Sequence, residues 1–172
     1  MVDFTFVLAL HDPPRNQSPG HAALAAKVRE IVLDLPFDTF TINQSMYMPL
    51  RRRPAGVVVE TKRATDQRDG RVQLGIWVAA WYRRMRELRG GHRPVFPTLP
   101  LVLTSGDSWS LYFACDRGDE KGIEMVGSLQ IGGTANLLDL YTLLAVLRHL
   151  VAWMDGPFKE WMMEFLGVGD EE

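Results

Sequence analysis

The 172-residue chain carries 47% hydrophobic and 10% aromatic residues and a formal net charge of −2. This length suits one compact domain with its own core and is short for two. Its single cysteine, Cys115, excludes an internal disulfide and a cysteine-based zinc cluster. Because the sequence has neither a run of about eighteen apolar residues nor a basic leader ahead of Phe4, we expect no membrane contact and an intracellular location, cytoplasmic or nuclear.

The charge is unevenly distributed. Residues 51–93 hold twelve Lys and Arg against four Asp and Glu, whereas the segments on either side are net acidic. A basic segment of this kind is typical of a surface that binds a polyanion such as nucleic acid. A solvated arginine-rich helix face has the same composition, so charge alone leaves both interpretations open.

The first predicted element is a strand over residues 3–10, which begins with Asp3 and is rich in β-branched and aromatic residues. Prolines make residues 11–20 a loop, and apolar residues at helical spacing predict a helix over 21–33. The following residues to 54 are irregular. We therefore expect residues 11–54 to be an excursion between two strands of one sheet.

Residues 55–62, with the sequence AGVVVETK, predict a buried strand that ends in two charges. Side chains on a strand alternate, so Glu60 and Lys62 project to the same face. A carboxylate can bind a hard divalent cation, and a neighbouring lysine can orient a water or stabilise charge on a phosphate. A strand that merely ends in two solvated charges has the same sequence, so the context must decide.

The rest of the chain predicts a helix, three strands and two helices. The helix covers residues 71–88 and places Val72, Ile76, Trp77, Ala79 and Ala80 against the sheet, with arginines at its far end. Short turns favour antiparallel pairing of the strands, which cover residues 100–104, 109–115 and 122–131, and the last helices cover 134–153 and 157–166. The order predicts one α/β domain, residues 1–166, with a mixed central sheet flanked by helices, and an acidic tail over 167–172.

Asp3, Glu60, Lys62 and Gln73 together resemble the site of the PD-(D/E)XK nuclease-like superfamily. The local sequences are similar to those of the fungal PD-(D/E)XK nuclease-like domain proteins, and the similarity runs from residue 1 to about residue 155. The stretches that carry it are Met1-Val2-Asp3-Phe4, Val59-Glu60-Thr61-Lys62, Val72-Gln73-Leu74-Gly75-Ile76-Trp77, Ser105-Gly106-Asp107-Ser108-Trp109 and residues 131–138. The resemblance implies a restriction-endonuclease-like fold. It also implies a helix ahead of Asp3, which we expect to be lacking because the chain starts two residues earlier.

The resemblance implies that Asp3 and Glu60 bind Mg²⁺ or Mn²⁺ and that Lys62 positions the water that attacks a phosphodiester. Gln73 matches an auxiliary glutamine of the superfamily, although Trp77 stands where a tyrosine usually follows. We therefore expect metal-dependent hydrolysis of nucleic acid. Two alternatives stay open: a catalytically degenerate fold that binds nucleic acid or a protein, and recruitment of the Glu60/Lys62 pair as acid and base in small-molecule chemistry.

Two surfaces are candidates for partners. The basic segment is expected to contact nucleic acid and to flank the Glu-x-Lys edge through Arg51, Arg52, Arg53, Arg63 and Arg68. The short C-terminal helix carries Trp161, Met162, Met163 and Phe165, which either form a surface for self-association into a homo-oligomer or cover one side of the sheet.

Overall fold

The computed structural model describes residues 3–10, 19–63, 67–90, 95–118 and 122–168, and of residues 19 and 67–69 the backbone alone. Five strands form one sheet in sequential order: β1 (Phe4–Val7), β2 (Ala55–Lys62), β3 (Leu99–Ser105), β4 (Ser108–Asp116) and β5 (Ile123–Gly133). β2 and β3 run parallel, and the other neighbouring strands are antiparallel. The mixed sheet and the single α/β architecture confirm the predicted fold class.

Four α-helices accompany the sheet: α1 (Pro19–Asp34), α2 (Gln67–Leu88), α3 (Leu137–Trp153) and α4 (Lys159–Phe165). Short 3₁₀ helices cover Phe37–Thr39 and Met48–Leu50, and a π-helix over Met154–Phe158 joins α3 to α4. The π-helix contains Pro157, which we expected to open the last helix. A proline lacks the N–H of a regular helical turn, which accounts for the irregular winding there.

α2 is the crossover between the parallel strands β2 and β3, and it runs back along the sheet. Near its start, a Cβ on Gly70 would contact Lys62 and Leu103 at the end of β2 and β3. Further along, the indole N–H of Trp81 donates a 2.8 Å hydrogen bond to the carbonyl of Ala55, at the beginning of β2. α2 is therefore fixed to both ends of β2.

The buried face of α2 differs from the one predicted. Its core side chains are Leu74, Val78, Trp81, Tyr82 and Met85. Val72 is exposed, and Ile76 retains 65% of its surface. The helix carries two apolar stripes, and helical spacing alone does not determine which of them faces the sheet.

The C-terminal helices pack into the core. Met162 and Phe165 are buried, and Trp161 stacks on Phe165 at 4.8 Å between ring centroids and lies 5.6 Å from Trp81. Gly56 of β2 makes room for this packing, because a Cβ there would come within 2.9 Å of the Phe158 ring. The apolar side chains expected at a surface for self-association are thus largely enclosed, and they cover part of the sheet.

One helical stretch in the described part of the chain, Leu137–Phe165, is long and apolar enough to cross a membrane by length and composition, with a mean hydropathy of 1.5. These two criteria are also met by core helices of globular domains. Here Leu143, Leu150, Met154, Phe158 and Met162 from this stretch belong to the hydrophobic core.

Candidate functional site

Glu60 is a buried carboxylate near the end of β2. This part of β2 lies in the core, as the burial of Val57, Val58 and Val59 shows. Glu60, the next residue, is also buried, with 1% of its surface exposed. Its Oε1 forms an ion pair with the Lys62 ammonium at 2.6 Å. Its Oε2 is buried and has no hydrogen-bond partner among the described residues. A buried acceptor left in this way is energetically costly, so a ligand that satisfied Oε2 would bind favourably.

Lys62 is held beside Glu60 from two directions. Its backbone carbonyl accepts a 3.2 Å hydrogen bond from the N–H of Gly106 in the turn between β3 and β4. Its aliphatic chain lies beside Gly70 of α2, at 3.0 Å from the position that a Cβ would take. A glycine in the first turns of a helix can indicate such a close approach. Gly70 is therefore the feature of the sequence that points to the contact between α2 and Lys62.

Asp3 joins the same edge of the sheet from the neighbouring strand. The β1–β2 register pairs Phe4 with Val59, so the next antiparallel pair brings Asp3 opposite Glu60. The Asp3 Oδ2 accepts a 2.8 Å hydrogen bond from the backbone N–H of Thr61. Hydrogen bonding by Thr61, first through its side chain and then through its backbone, lowers the pKa of Asp3, and the charge of Lys62 lowers this pKa further.

Gln73 lies on α2, one turn after Gly70 and therefore on the same face of the helix. Its Oε1 is buried without a hydrogen-bond partner among the described residues. Trp77, one further turn along, is half-buried and packs against the core. The described structure therefore brings Asp3 and Lys62 to the end of β2 together with Glu60, and it leaves unpartnered oxygens on Glu60 and Gln73.

The basic residues close to β2 lie in two separate groups, one at each end of the strand. Arg63 follows Lys62 directly, and Arg71, whose guanidinium lies 5.7 Å from the centre of the Tyr112 ring, is near the start of α2. The triplet Arg51–Arg53 lies before Ala55, at the opposite end of β2 and about 23 Å away along an eight-residue strand. The triplet therefore does not flank Glu60 and Lys62, and its contact with nucleic acid stays a prediction. The side chain of Arg68 lies outside the described residues.

The triplet is partly engaged within its own loop. The Arg51 guanidinium stacks on Phe40 at 4.3 Å from the ring centre, and the Arg51 carbonyl accepts a hydrogen bond from Ile42. The Nε of Arg52 is buried. The Asn43 side chain bonds the carbonyls of Leu50 and Arg53 at 2.6 and 3.0 Å. These contacts give the segment a structural role in leading the chain into β2.

The donor set at the end of β2 fits a hard cation that keeps much of its water. In the part of the chain that the structure describes, no three His, Cys, Asp or Glu side chains form a ready metal cluster. Mg²⁺ is commonly held by one or two carboxylates, with waters and substrate oxygens completing its shell. The unpartnered Glu60 Oε2 is an oxygen that could hold such a cation, and Asp3 brings a second carboxylate to the same edge.

Two stretches that carried the family resemblance meet in space. The turn after β3 contains Asp107, whose carbonyl accepts a 2.9 Å hydrogen bond from the N–H of Thr134, just after β5. The Thr134 hydroxyl also donates to the Asp107 carboxylate at 3.2 Å. This contact joins the β3–β4 turn to the approach of α3.

A mixed sheet with a crossover helix, with an aspartate directly before one strand and a Glu-x-Lys pair at the end of the next, defines a nuclease-like protein of the restriction-endonuclease type. A family model described as the PD-(D/E)XK nuclease superfamily matches residues 1–159. The chain belongs to this superfamily. The comparisons with curated proteins and with solved structures gave no match.

Proposed function

We propose that the protein hydrolyses phosphodiester bonds of nucleic acid with a divalent metal ion, Mg²⁺ or Mn²⁺. The observation that carries the proposal is the buried Glu60 carboxylate, which is paired with Lys62 through one oxygen and has no described partner on the other. Membership of a nuclease superfamily supports an interaction with nucleic acid.

In this proposal the two carboxylates have different tasks. Glu60, fixed by its burial and by Lys62, presents Oε2 to the metal. Asp3, whose orientation is fixed by the Thr61 N–H, provides a second negative charge that its lowered pKa maintains. When bound, the metal would stabilise negative charge on the phosphate and lower the pKa of a bound water.

Lys62 has a positioning and electrostatic task. Its ammonium is 2.6 Å from Glu60 and its stem is confined by Gly70, so the charge is held in one place. A fixed cation costs little reorganisation when charge develops on a phosphate or on an attacking water. Gln73, with its Oε1 unpartnered, could accept a hydrogen bond from such a water.

One observation favours the alternative of a nuclease fold that binds without cleaving. The Glu60–Lys62 ion pair neutralises both groups, and buried ion pairs also serve purely structural roles. In that case nucleic-acid binding would persist in EDTA and no cleavage would be seen. Metal dependence of the activity therefore separates the two functions.

The test measures cleavage of single-stranded and duplex DNA and RNA with Mg²⁺, Mn²⁺ and EDTA, using Glu60→Gln and Lys62→Met. We expect each variant to lose at least about 100-fold in rate, which is typical for removal of a pre-organised charge. Glu87→Gln is the matched control, because Glu87 also pairs with basic side chains but lies near the far end of α2. Circular dichroism establishes that each variant is folded.

A second readout does not depend on turnover. Mn²⁺ binding, followed by electron paramagnetic resonance, should weaken in Glu60→Gln and remain unchanged in Glu87→Gln. If the folded wild type shows neither metal binding nor metal-dependent cleavage, the protein is not a metal-dependent nuclease.

A further inference from the structure

α3 carries an unusual exposed face. Only Leu143 and Leu150 of this helix are buried, whereas Leu138 and Tyr141 retain 77% and 69% of their surface. Leu137, Leu144 and Val151 are exposed as well. An exposed apolar face of this size is typical of an interaction surface.

The exposed side chains are spaced for packing against another helix. Leu137, Tyr141, Leu144, Arg148 and Val151 follow one another at intervals of four, three, four and three residues. This is the spacing of the seam in a coiled coil, where two helices pack about 20° from parallel or antiparallel. The surface is therefore shaped for a helix.

The seam is symmetric about its centre. Leu137 and Val151 each lie seven residues from Leu144, and both are apolar. An antiparallel copy of α3, related by a two-fold axis at Leu144, would place Leu137 of one chain against Val151 of the other and Leu144 against itself. A self-complementary surface of this kind is the mark of an isologous dimer.

The one charged residue in the seam supports the same partner. Arg148 is exposed on α3, and in the antiparallel arrangement it comes beside Tyr141 of the second copy. The aromatic ring of Tyr141 offers a face to which a guanidinium binds well. A lipid bilayer would bury Arg148 in hydrocarbon without such a partner.

The exposed apolar area of α3 is also appropriate for a dimer interface. Leu137, Leu138, Leu140, Tyr141, Leu144 and Val151 are exposed. At about 100 Å² each, they offer on the order of 600 Å² before Arg148 is added, against about 800 Å² per partner in a standard interface.

We propose that the protein forms a two-fold symmetric homodimer in which α3 packs antiparallel against α3 of a second copy, with Leu144 on the axis. This dimer uses a different surface from the one considered for the C-terminal Trp/Met helix, whose side chains are largely in the core.

The first test measures mass in solution by analytical ultracentrifugation over a concentration series of the full chain. We expect a dimer, and Leu144→Glu should raise its dissociation constant at least about 100-fold, because two carboxylates would then meet on the axis. Ile76→Glu is the matched control, since Ile76 is an exposed apolar residue on another helix, α2. A monomeric wild type, or a dimer that Leu144→Glu leaves intact, overturns the proposal.

The second test checks the register through disulfide formation, with Cys115→Ser as the background. Leu144→Cys should cross-link to itself. Val151→Cys should not, since its two copies would lie about 21 Å apart along the helices. Val151→Cys should cross-link to Leu137→Cys when the two variants are mixed. Cross-linking of Val151→Cys alone, or none with Leu144→Cys, contradicts this arrangement.

The third test addresses the membrane. Co-sedimentation with vesicles of phosphatidylcholine and phosphatidylglycerol should leave the protein in solution. Binding to vesicles that Leu144→Glu abolishes would assign the α3 face to lipid and overturn the dimer.

Discussion

At the scale of single residues, the site is governed by the free energy of burying charge. Glu60 is 1% exposed, and Lys62, its ion-pair partner, is largely covered. Neither charge would remain in this environment alone, because the desolvation of an unpaired ion costs several kcal/mol. The two residues therefore stabilise the fold only as a pair, whatever their part in catalysis.

This coupling predicts a non-additive double-mutant cycle. Lys62→Met leaves the Glu60 carboxylate buried without its cation and should destabilise the protein by about 3–5 kcal/mol. Adding Glu60→Gln should recover a large part of that loss, because the amide carries no charge. Urea unfolding of the two single variants and the double variant measures the interaction. Additive free energies would show that the ion pair contributes nothing to stability.

Asp3 makes a smaller, pH-dependent contribution. Its pKa in the folded protein is lowered from the ordinary value of 3.8 by hydrogen bonding to Thr61 and by the charge of Lys62. The folded state thus favours the carboxylate, so the stabilisation is present above about pH 4 and is lost as the pH falls through the lowered pKa.

Removing the charge should flatten this dependence. Asp3→Asn should cost less than about 1 kcal/mol at neutral pH, because the side chain is largely exposed and solvent screens it. The difference from the wild type should shrink towards zero as the pH falls through the lowered pKa of Asp3. Thermal unfolding between pH 2.5 and 7 measures this, and a difference that grows on acidification would contradict the assigned role.

At the scale of elements, the position of α2 decides how the site is built. The helix starts close to Lys62 because Gly70 has no side chain to hold it away from β2 and β3. Gly70→Ala should place a methyl group against Leu103 and Lys62 and destabilise the fold by about 1–3 kcal/mol. It should also slow any metal-dependent cleavage, because Lys62 would be displaced.

Gly75→Ala is the matched control in the same helix. Among the described residues, the nearest atom to its Cβ would be the Met125 methyl at 3.8 Å. Because alanine favours helix over glycine, this change should stabilise the protein by about 0.5–1 kcal/mol. Equal effects of the two substitutions in urea unfolding would show that the approach of α2 to Lys62 is not tight.

The elements themselves were largely predictable from the sequence. The β-branched run of β2 and the short links after β3 give strong local signals, and the strand, the antiparallel order and the mixed sheet follow from them. The face of α2 was not predictable, because Val72 and Ile76 form a stripe as apolar as that of Leu74 and Val78. Only the packing of the whole sheet decides between them.

The site likewise has features that the sequence predicts and features that it does not predict. The alternation of side chains predicts that Glu60 and Lys62 share a face, and the structure places them 2.6 Å apart. Burial of Glu60 depends on α2 and β3, and no local pattern reports it. Arg51–Arg53 precede β2, whereas Glu60 and Lys62 lie at its far end, so the eight-residue length of the strand separates the triplet from the pair.

At the scale of the whole molecule, Trp81 connects the layers. Its indole bonds the carbonyl of Ala55, and its ring lies 6.5 Å from Phe158 and 5.6 Å from Trp161. α2, β2 and the C-terminal helices therefore share one core. Trp81→Ala should cost about 3–5 kcal/mol or prevent folding, and Trp81→Phe should cost less while leaving the Ala55 carbonyl unpaired.

The distribution of charge over the molecule predicts where nucleic acid binds. If the site acts on a phosphodiester, Arg63 and Arg71, which are exposed cations among the described side chains, should contact neighbouring phosphates, since both lie at the Lys62 end of β2. Each neutralised phosphate contact contributes about 0.9 to the slope of log K against log salt on duplex DNA. Arg63→Ala and Arg71→Ala should therefore each weaken binding and reduce the magnitude of the slope by about one.

The triplet at the other end of β2 provides the comparison. Arg51→Ala should change the slope little if the bound duplex is confined to the Lys62 end, because its guanidinium is stacked on Phe40 about 23 Å away. Fluorescence anisotropy with short and long duplexes, from about 50 to 200 mM salt, measures the slopes. A loss of slope in Arg51→Ala with the long duplex only would mean that the nucleic acid extends along β2 to the triplet. An equal loss with the short duplex would place the binding surface at the triplet and away from Glu60 and Lys62.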